Sequence, residues 1–103
     1  MAGKEAAFTP SYGRGVVVIT SITTSNIEID PNGKRQSVAI VNTGTEMVFV
    51  RTGDSSVVAT ATDFPVVGGR QLTISKDARD THIAMISASG TPLVAAISGS
   101  GFL

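Results

Sequence analysis

The sequence predicts an all-β domain: a single small β-sandwich, jelly-roll-like, with about eight short strands and an extended N-terminal arm. Composition is the first observation, because the 103 residues include 21 Val and Ile, 23 Ser and Thr, and only three Leu. Branched residues suit a pleated sheet and lower helix propensity. The second observation is that short apolar runs recur about every ten residues between turn residues, as in sandwiches. The third is that no stretch shows a helical period.

Residues 1–15 form a separate segment ahead of the sandwich domain at residues 16–103. Gly, Pro, Ser, Lys and Glu are mixed there with two isolated aromatic residues, Phe8 and Tyr12. Two interpretations stay open: a disordered terminus, which is common at chain ends, or an arm that docks both aromatics on a neighbouring subunit. Arg14 belongs to the same segment and is counted among the candidate partner contacts. The segment lacks the apolar region of a secretory signal.

The first half of the domain alternates strands and turns. Asp30-Pro31-Asn32-Gly33 is predicted to be a turn, because proline presets the backbone angle and Asn-Gly tolerates a positive φ. Residues 43–46 read as the loop of a hairpin between two apolar runs. The predicted strands in this half are residues 16–20, 26–29, 37–42 and 47–51.

The second half follows the same pattern with one interruption. Residues 63–69 are predicted to break the strands, because Pro65 cannot donate to a ladder and Gly68-Gly69 favours a turn. Residues 76–80 are the densest charge cluster and are predicted to form a solvated loop. The predicted strands in this half are residues 56–61, 70–75, 81–87 and 92–98.

Some of these strands carry apolar residues on both faces, and others on one. In residues 70–75, Leu72 and Ile74 alternate with polar residues and are predicted to point inward. Residues 47–50 and 83–86 are apolar throughout. An open sandwich of this size leaves one face of such strands in water, so either they lie centrally or a second subunit covers them.

The charge content argues against several classes of partner. Eight acidic and eight basic residues give a net charge of zero, without the basic stripe typical of nucleic-acid binders. No apolar run approaches the length of a membrane span. Charged residues make up 16% of the chain, against about 25% in ordinary domains. Such a surface associates readily, so we expect partners to cover part of it; the alternative is that Ser and Thr supply enough polarity.

The residues that carry chemistry are sparse. The chain has no Cys and one histidine, His82. A Ser-His-Asp arrangement would need Asp80 with Ser87 or Ser89, but no nucleophile elbow is present. Zinc spacings are excluded, and Asp77 with Asp80 does not resemble a calcium-binding loop. The sequence therefore predicts no catalytic residue, metal site, cofactor or small-molecule substrate, and hence no enzyme.

The C-terminal residues offer another candidate contact. Gly99 to Gly101 would act as a hinge that lets Phe102 and Leu103 dock on a partner or cap the sandwich itself. A glycan-binding face would need exposed aromatic residues, and the chain has no Trp and one Tyr. That class stays open only because sandwiches of this size often bind glycans, which is an analogy from fold alone.

Four stretches, in this order, carry a resemblance to a known family: "VNTGTEMVFVRTGDSSVVATATDFPV", "GGRQLTIS", "THIAMISASGT" and "SGSG". Over residues 38–101 the chain resembles small structural proteins of tailed bacteriophages. The resemblance implies a capsid decoration or cement protein of β-sandwich type, without enzyme activity or cofactor. It implies a place on the virion capsid surface and the major capsid protein as a partner. The absence of Cys favours assembly in a reducing cytoplasm, here that of the host. The apolar faces and the N-terminal arm are compatible with further copies of the chain as partners, in a dimer or a trimer.

In such a protein the rim loops at residues 52–56, 63–69 and 76–80 would meet the shell. Weak contacts become strong when they are repeated around a particle, because the effective concentration is high. One alternative is a head–tail connector, tail or fibre-base component of the virion, and another is a host-surface or glycan-binding module. The candidate rim contacts are Arg51, Asp54, Arg70 and Asp77.

Overall fold

The computed structural model describes residues 8–10, 15–20 and 24–100 as two antiparallel sheets that pack face to face. Within these residues no helix is long and apolar enough to cross a membrane. The strands of the described residues are β1 (Thr9–Pro10), β2 (Val16–Ile19), β3 (Ser25–Glu28), β4 (Ser37–Asn42), β5 (Val48–Gly53), β6 (Phe64–Val66), β7 (Gln71–Ser75), β8 (His82–Ser87) and β9 (Leu93–Ser100).

The strand order is that of a jelly roll. Sheet A has the order β1-β9-β4-β7, and β2 also pairs with β9. Sheet B has the order β3-β8-β5-β6. From β2 onward the chain changes sheet at every connection except that between β5 and β6. The predicted all-β, jelly-roll-like sandwich is therefore confirmed.

The described part of the N-terminal segment lies along its own domain. In β1, Thr9 pairs with Ser100 and Pro10 with Gly99, so the segment extends the edge that β2 forms further along β9. Docking of the segment on a neighbouring subunit stays a prediction. Two of its candidate contacts, Tyr12 and Arg14, lie outside the described residues, as do Phe102 and Leu103.

The core fills the space between the sheets with branched side chains. Leu72 and Ile74 pack against it from β7, as predicted. Because alternate residues of a strand point to one face, each strand contributes every second side chain. The buried core residues are Ile29, Val38, Ile40, Val48, Val50, Val66, Ile83, Met85, Val94 and Ala96.

The connection from β4 to β5 is not the predicted hairpin, because the two strands belong to different sheets. Asn42, fully buried at the end of β4, organises the crossing. Its Nδ2 donates to the Glu46 carbonyl at 2.7 Å and to the Val66 carbonyl at 3.1 Å, while its Oδ1 accepts from the Gly44 N–H at 3.1 Å. Alternation reports which face of a strand is buried, but not which strand is its neighbour.

The predicted break at residues 63–69 is wrong at its start, because Pro65 lies within β6. The Ala88 N–H bonds to the Met47 carbonyl, so by alternation the polar groups of Phe49 also face β8. Pro65 is opposite Phe49, and its nitrogen therefore points away from β5. A proline on the outer side of an edge strand removes no ladder bond. The predicted turn at Gly68-Gly69 is confirmed, with φ of 74° at Gly69.

The predicted strand at residues 56–61 is wrong, because this segment is part of a loop, residues 54–63, that folds back over sheet B. Asn26 in β3 holds the loop: its Nδ2 donates to the carbonyls of Ser55 at 3.2 Å and Val57 at 3.1 Å. The loop leaves from β5, and β8 lies between β5 and β3. The loop therefore crosses the outer face of β8.

Ala84 lies at the crossing point, between Asn26 and Arg51 in the register of the sheet, and is fully buried. Further along the loop, the Ala59 N–H donates to Thr24 Oγ1 at 2.9 Å. The strands predicted to be apolar on both faces, β5 and β8, are thus central in sheet B, and the chain's own loop covers part of their outer face.

Candidate interaction surfaces

One end of the sandwich carries an open cleft of about 490 Å³. Three predicted contacts, Arg51, Asp54 and Asp77, line this cleft together. Arg79 and Asp80 belong to the charge cluster at residues 76–80 but were not among the predicted contacts. The charged residues of the cleft are Arg51, Asp54, Asp77, Arg79 and Asp80.

Two carboxylates of the cleft fix their own loops. Asp54 Oδ1 accepts from Ser56 Oγ at 2.6 Å and from the Ser56 N–H at 2.9 Å, and these bonds lower the pKa of Asp54. Asp77 accepts from Arg79 Nη2 at 3.3 Å and from the Arg79 N–H at 2.9 Å, which lowers the pKa of Asp77. The same side-chain bond raises the pKa of Arg79. Hydrogen bonds to the charged form have this effect.

The remaining charged groups of the cleft also have local partners. Arg51 Nε lies 3.4 Å from Asp63 Oδ1, in a pair whose arginine side chain is 60% exposed and whose aspartate side chain is 14% exposed. Asp80 Oδ2 accepts from Thr52 Oγ1 at 2.8 Å. Among the described residues, no three His, Cys, Asp or Glu side chains are grouped to hold a metal ion. The cleft therefore presents fixed charges of both signs, which suit pairing with charges on another protein.

A buried ion pair lies beneath this cleft. Lys76 Nζ is 2.9 Å from Asp30 Oδ2, and the two residues are 7% and 5% exposed. The prediction that residues 76–80 are a solvated loop is wrong for Lys76, because the turn after β3 brings a carboxylate to it. The ammonium also donates to three loop carbonyls, those of Asp77 at 3.2 Å, Ala78 at 3.3 Å and Asp80 at 2.6 Å.

The environment of Asp30 favours its charged form. Burial alone would raise the pKa of Asp30, but hydrogen bonds from the Arg35 N–H, at 2.8 Å, and from Lys76 outweigh burial and hold that pKa below its ordinary value. Two opposite charges that satisfy each other can remain ionised in the interior. The pair thus holds the loop that presents Asp77, Arg79 and Asp80.

His82 does not form a catalytic arrangement with Asp80 and Ser87. Its Nδ1 lies 2.8 Å from Thr81 Oγ1, and Asp80 is bonded to Thr52 instead. Ser87 is five residues along β8 from His82, roughly 16 Å for an extended strand. Its side chain points to the opposite face and donates to the Gly90 carbonyl.

The outer face of sheet A is a second candidate surface. Antiparallel sheets commonly present a polar face to water, but the outward residues of β4, β7 and β9 include no ionisable side chain. Five of them line an apolar groove of about 550 Å³, namely Ala39, Val41, Gln71, Ala95 and Ile97. Phe8, a predicted contact, lines the same groove. The outward residues are Ser37, Ala39, Val41, Gln71, Thr73, Ser75, Leu93, Ala95, Ile97 and Gly99.

The lateral edge beside β6 and β7 is a third surface. Arg70, the remaining predicted rim contact, lines a cleft of about 270 Å³ there, apart from the other three. Two large apolar residues are exposed at this edge, Phe64 at 48% and Val67 at 52%. Neither residue was predicted as a contact; the signal in the sequence is an apolar run, residues 64–67, interrupted only by Pro65.

Comparisons with known proteins support the fold. No protein-family model and no curated protein sequence matches the chain. A protein of the Bacillus endospore appendages, which form disulfide-linked pili, is 15% identical with a TM-score of 0.54, over 94% of this chain and 90% of that one.

Two further structures are similar at lower scores. A de novo designed double-stranded β-helix is 15% identical with a TM-score of 0.44, over 82% of this chain and 94% of that one. The coat protein of tobacco streak virus is 11% identical with a TM-score of 0.39, over 85% of this chain and 88% of that one. At these identities the comparisons concern the fold alone.

Proposed function

We propose that this chain is a structural virion protein that binds and stabilises the capsid shell of a tailed bacteriophage, as a decoration or cement protein. The observation that carries the proposal is the outer face of sheet A, where three neighbouring strands present no ionisable side chain among the described residues. An uncharged face with an apolar strip, here Val41, Ala95 and Ile97, is typical of a protein–protein contact. The resemblance over residues 38–101 supports a phage shell as the partner.

The surfaces would divide the work of binding. The apolar face, with Val41, Ala95 and Ile97, would supply affinity through burial of apolar area. The charged cleft, with Asp54 and Arg79 held by their own loops, would set orientation more than affinity. Many copies around a shell would multiply weak single contacts.

The appendage likeness supports an assembly role more broadly, because the same fold there builds a pilus. This chain has no Cys, so disulfide linkage between its copies is not available. A connector, tail or fibre-base role is therefore the second candidate. Copy number per particle separates the two, since hundreds of copies indicate shell decoration and a small fixed number a connector or tail.

The decisive experiment adds purified protein to phage heads that lack it. We expect wild-type protein to bind and to raise the temperature at which the heads break. Val41→Asp and Ile97→Asp place a charge on the half-buried apolar face and should abolish both effects while the protein stays folded by circular dichroism. Val58→Asp, at an exposed apolar residue outside that face, is the matched control and should bind. Heads equally stable with and without wild-type protein would refute the proposal.

A further inference from the structure

The free edge of sheet A is the strand β7, which pairs only with β4 among the described strands. Two bonds bracket that ladder: the Asn42 N–H donates to the Arg70 carbonyl and the Lys76 N–H to the Gln36 carbonyl, both at 2.9 Å. Because bonded positions alternate in an antiparallel pair, Leu72 and Ile74 bond to β4. The N–H and C=O groups of Gln71, Thr73 and Ser75 point away from the sheet.

This edge lacks the features by which proteins block strand pairing. Edge strands are commonly protected by proline, charged residues or bulges. On the same side of the sandwich, β6 has Pro65 with its nitrogen turned outward. On the opposite side of sheet B, β3 is four residues long and carries Glu28. In contrast, β7 is five residues long and has no proline and no charged residue.

The side chain of Thr73, at the middle of β7, gives a second and independent observation. Its Oγ1 is buried and, like Ser37 Oγ on the neighbouring strand β4, has no hydrogen-bond partner in the described part of the chain, although Thr73 as a whole is half-buried. Buried hydroxyls are normally hydrogen-bonded. If the Thr73 side chain rotates so that its hydroxyl faces the open edge, a threonine directly opposite on a neighbouring antiparallel strand can bond to it, since such pairs bond to each other.

We propose that two copies of this chain pair through β7, antiparallel, with a two-fold axis at Thr73. Thr73 then faces Thr73 of the second copy, and Gln71 faces its Ser75, so that all outward N–H and C=O groups of the strand are bonded. Leu72 meets Ile74 of the second copy on the core side. The two sheets A become one continuous sheet.

The sequence of β7 fits a second copy because each proposed pair joins two polar side chains or two apolar ones. Hydroxyl or amide side chains meet on the outer face and branched apolar ones on the inner face, and no like charges are opposed within the strand. The nearest charged residues, Arg70 and Lys76, lie beyond its ends, and the Lys76 ammonium is turned inward to Asp30.

The lateral edge beside β7 gives such a dimer further apolar area. Val67, 52% exposed, lines the cleft between the sheets with Val66 and Leu72, and Phe64, 48% exposed, precedes them on β6. A second copy beside β7 would cover this cleft. The pairing goes beyond the proposed shell binding and does not depend on it, because it uses the backbone edge of β7 and not the apolar residues Val41, Ala95 and Ile97.

Cysteine cross-linking tests the axis directly, because the chain has no Cys of its own. Opposite residues in a bonded antiparallel pair have Cα atoms about 5.5 Å apart, within the span that a disulfide allows. Thr73→Cys should therefore form a covalent dimer under mild oxidation. Gln71→Cys alone and Ser75→Cys alone should not cross-link. In the proposed register each residue is displaced by roughly 13 Å along the strand from the same residue of the second copy. An equimolar mixture of those two variants should cross-link.

Sedimentation equilibrium tests the pairing without introducing a disulfide bond. Thr73→Pro removes an outward N–H and no bond to β4, and proline is tolerated at such a position of an edge strand. The fold should therefore persist, while the dimer dissociation constant should rise at least about tenfold, as for loss of about 1.4 kcal/mol. Thr73→Val, which keeps the shape and a bondable backbone, should remain measurably dimeric. A wild-type monomer at high micromolar concentration, or equal cross-linking of all single cysteine variants, would overturn the proposal. Head binding by a monomer would leave the proposed function standing.

Discussion

The Lys76 ammonium lies 2.9 Å from Asp30 Oδ2, with 0% and 7% of the two side chains exposed, and so joins the ends of the two sheets. Asp30 follows β3 of sheet B, and Lys76 follows β7 of sheet A. Because the ammonium also bonds three carbonyls of the loop after β7, one residue fixes both the packing of this end and the loop that lines the charged cleft.

Replacing Lys76 should therefore destabilise the fold strongly. Lys76→Met leaves Asp30 as a buried charge without its counter-ion, and removal of one partner of such a pair costs about 3–5 kcal/mol. Arg79→Met, which breaks an ion pair whose arginine side chain is 88% exposed, should cost less than about 1 kcal/mol. Urea unfolding of the two variants measures the difference. Equal losses would show that the buried pair does not hold this end together.

The same pair predicts how stability depends on pH. The pKa of Asp30 is lower in the folded chain than its ordinary value, so the folded state binds fewer protons than the unfolded state in the acid range. Its contribution is complete above the unfolded pKa of about 3.9 and is lost as pH falls through the lower folded pKa. Asp54 and Asp77 shift in the same direction and add to this slope.

Urea midpoints of wild type and Asp30→Asn, measured between about pH 6 and pH 2, separate the contribution of Asp30 from the rest. The wild type should lose more stability on acidification than the variant, so that the two curves converge at low pH. Parallel curves would mean that Asp30 is not responsible for the acid sensitivity.

The sequence was sufficient for the strand with a strict alternation. Leu72 and Ile74 in β7 pack against the core as their spacing predicts. The turn at residues 30–33 and its positive φ at Gly33 also follow from local chemistry. These features depend on neighbours in sequence, and pattern rules describe such neighbours well.

The features that failed depend on residues distant in sequence. The run at residues 56–61 contains Val57 and Val58 and favours a strand by propensity. In the structure it is part of a loop, because the Asn26 side chain donates hydrogen bonds to the carbonyls of Ser55 and Val57. The charge cluster at residues 76–80 predicts a solvated Lys76, but its partner Asp30 lies 46 residues away in the sequence, beyond the reach of local patterns. Arg51, Asp54 and Asp77 were predicted from the sequence as partner contacts, but the sequence could not show that they line one cleft.

In the turn between β6 and β7, we expect substitution of Gly68 to be more destabilising than substitution of the adjacent Gly69. A Cβ on Gly68 would lie 2.5 Å from the carbonyl carbon and oxygen of Thr45, which are backbone atoms and cannot move aside. Gly69 has a φ of 74° but nothing within 4 Å of an added Cβ. Gly68→Ala should therefore destabilise by about 1–3 kcal/mol, as for overpacking.

Gly69→Asn is the matched variant, because asparagine tolerates a positive φ and finds open space at this position. We expect its thermal midpoint to stay close to that of wild type, while that of Gly68→Ala falls by several degrees. If Gly69→Asn were the more damaging change, backbone conformation and not the close approach to Thr45 would limit this turn.

Ala84 is fully buried beneath the loop at residues 54–63, so we expect this position to tolerate only a small side chain. Ala84→Leu adds volume where the loop crosses β8, so it should displace the loop and cost about 1–3 kcal/mol. The Ala59 N–H, now bonded to Thr24, should then exchange faster with solvent deuterium. Ile86→Leu, a volume-conserving change on the same face of β8, should leave that exchange unchanged. Unaltered protection of Ala59 in Ala84→Leu would mean that the loop is held by Asn26 and Thr24 alone, independently of the room that Ala84 provides.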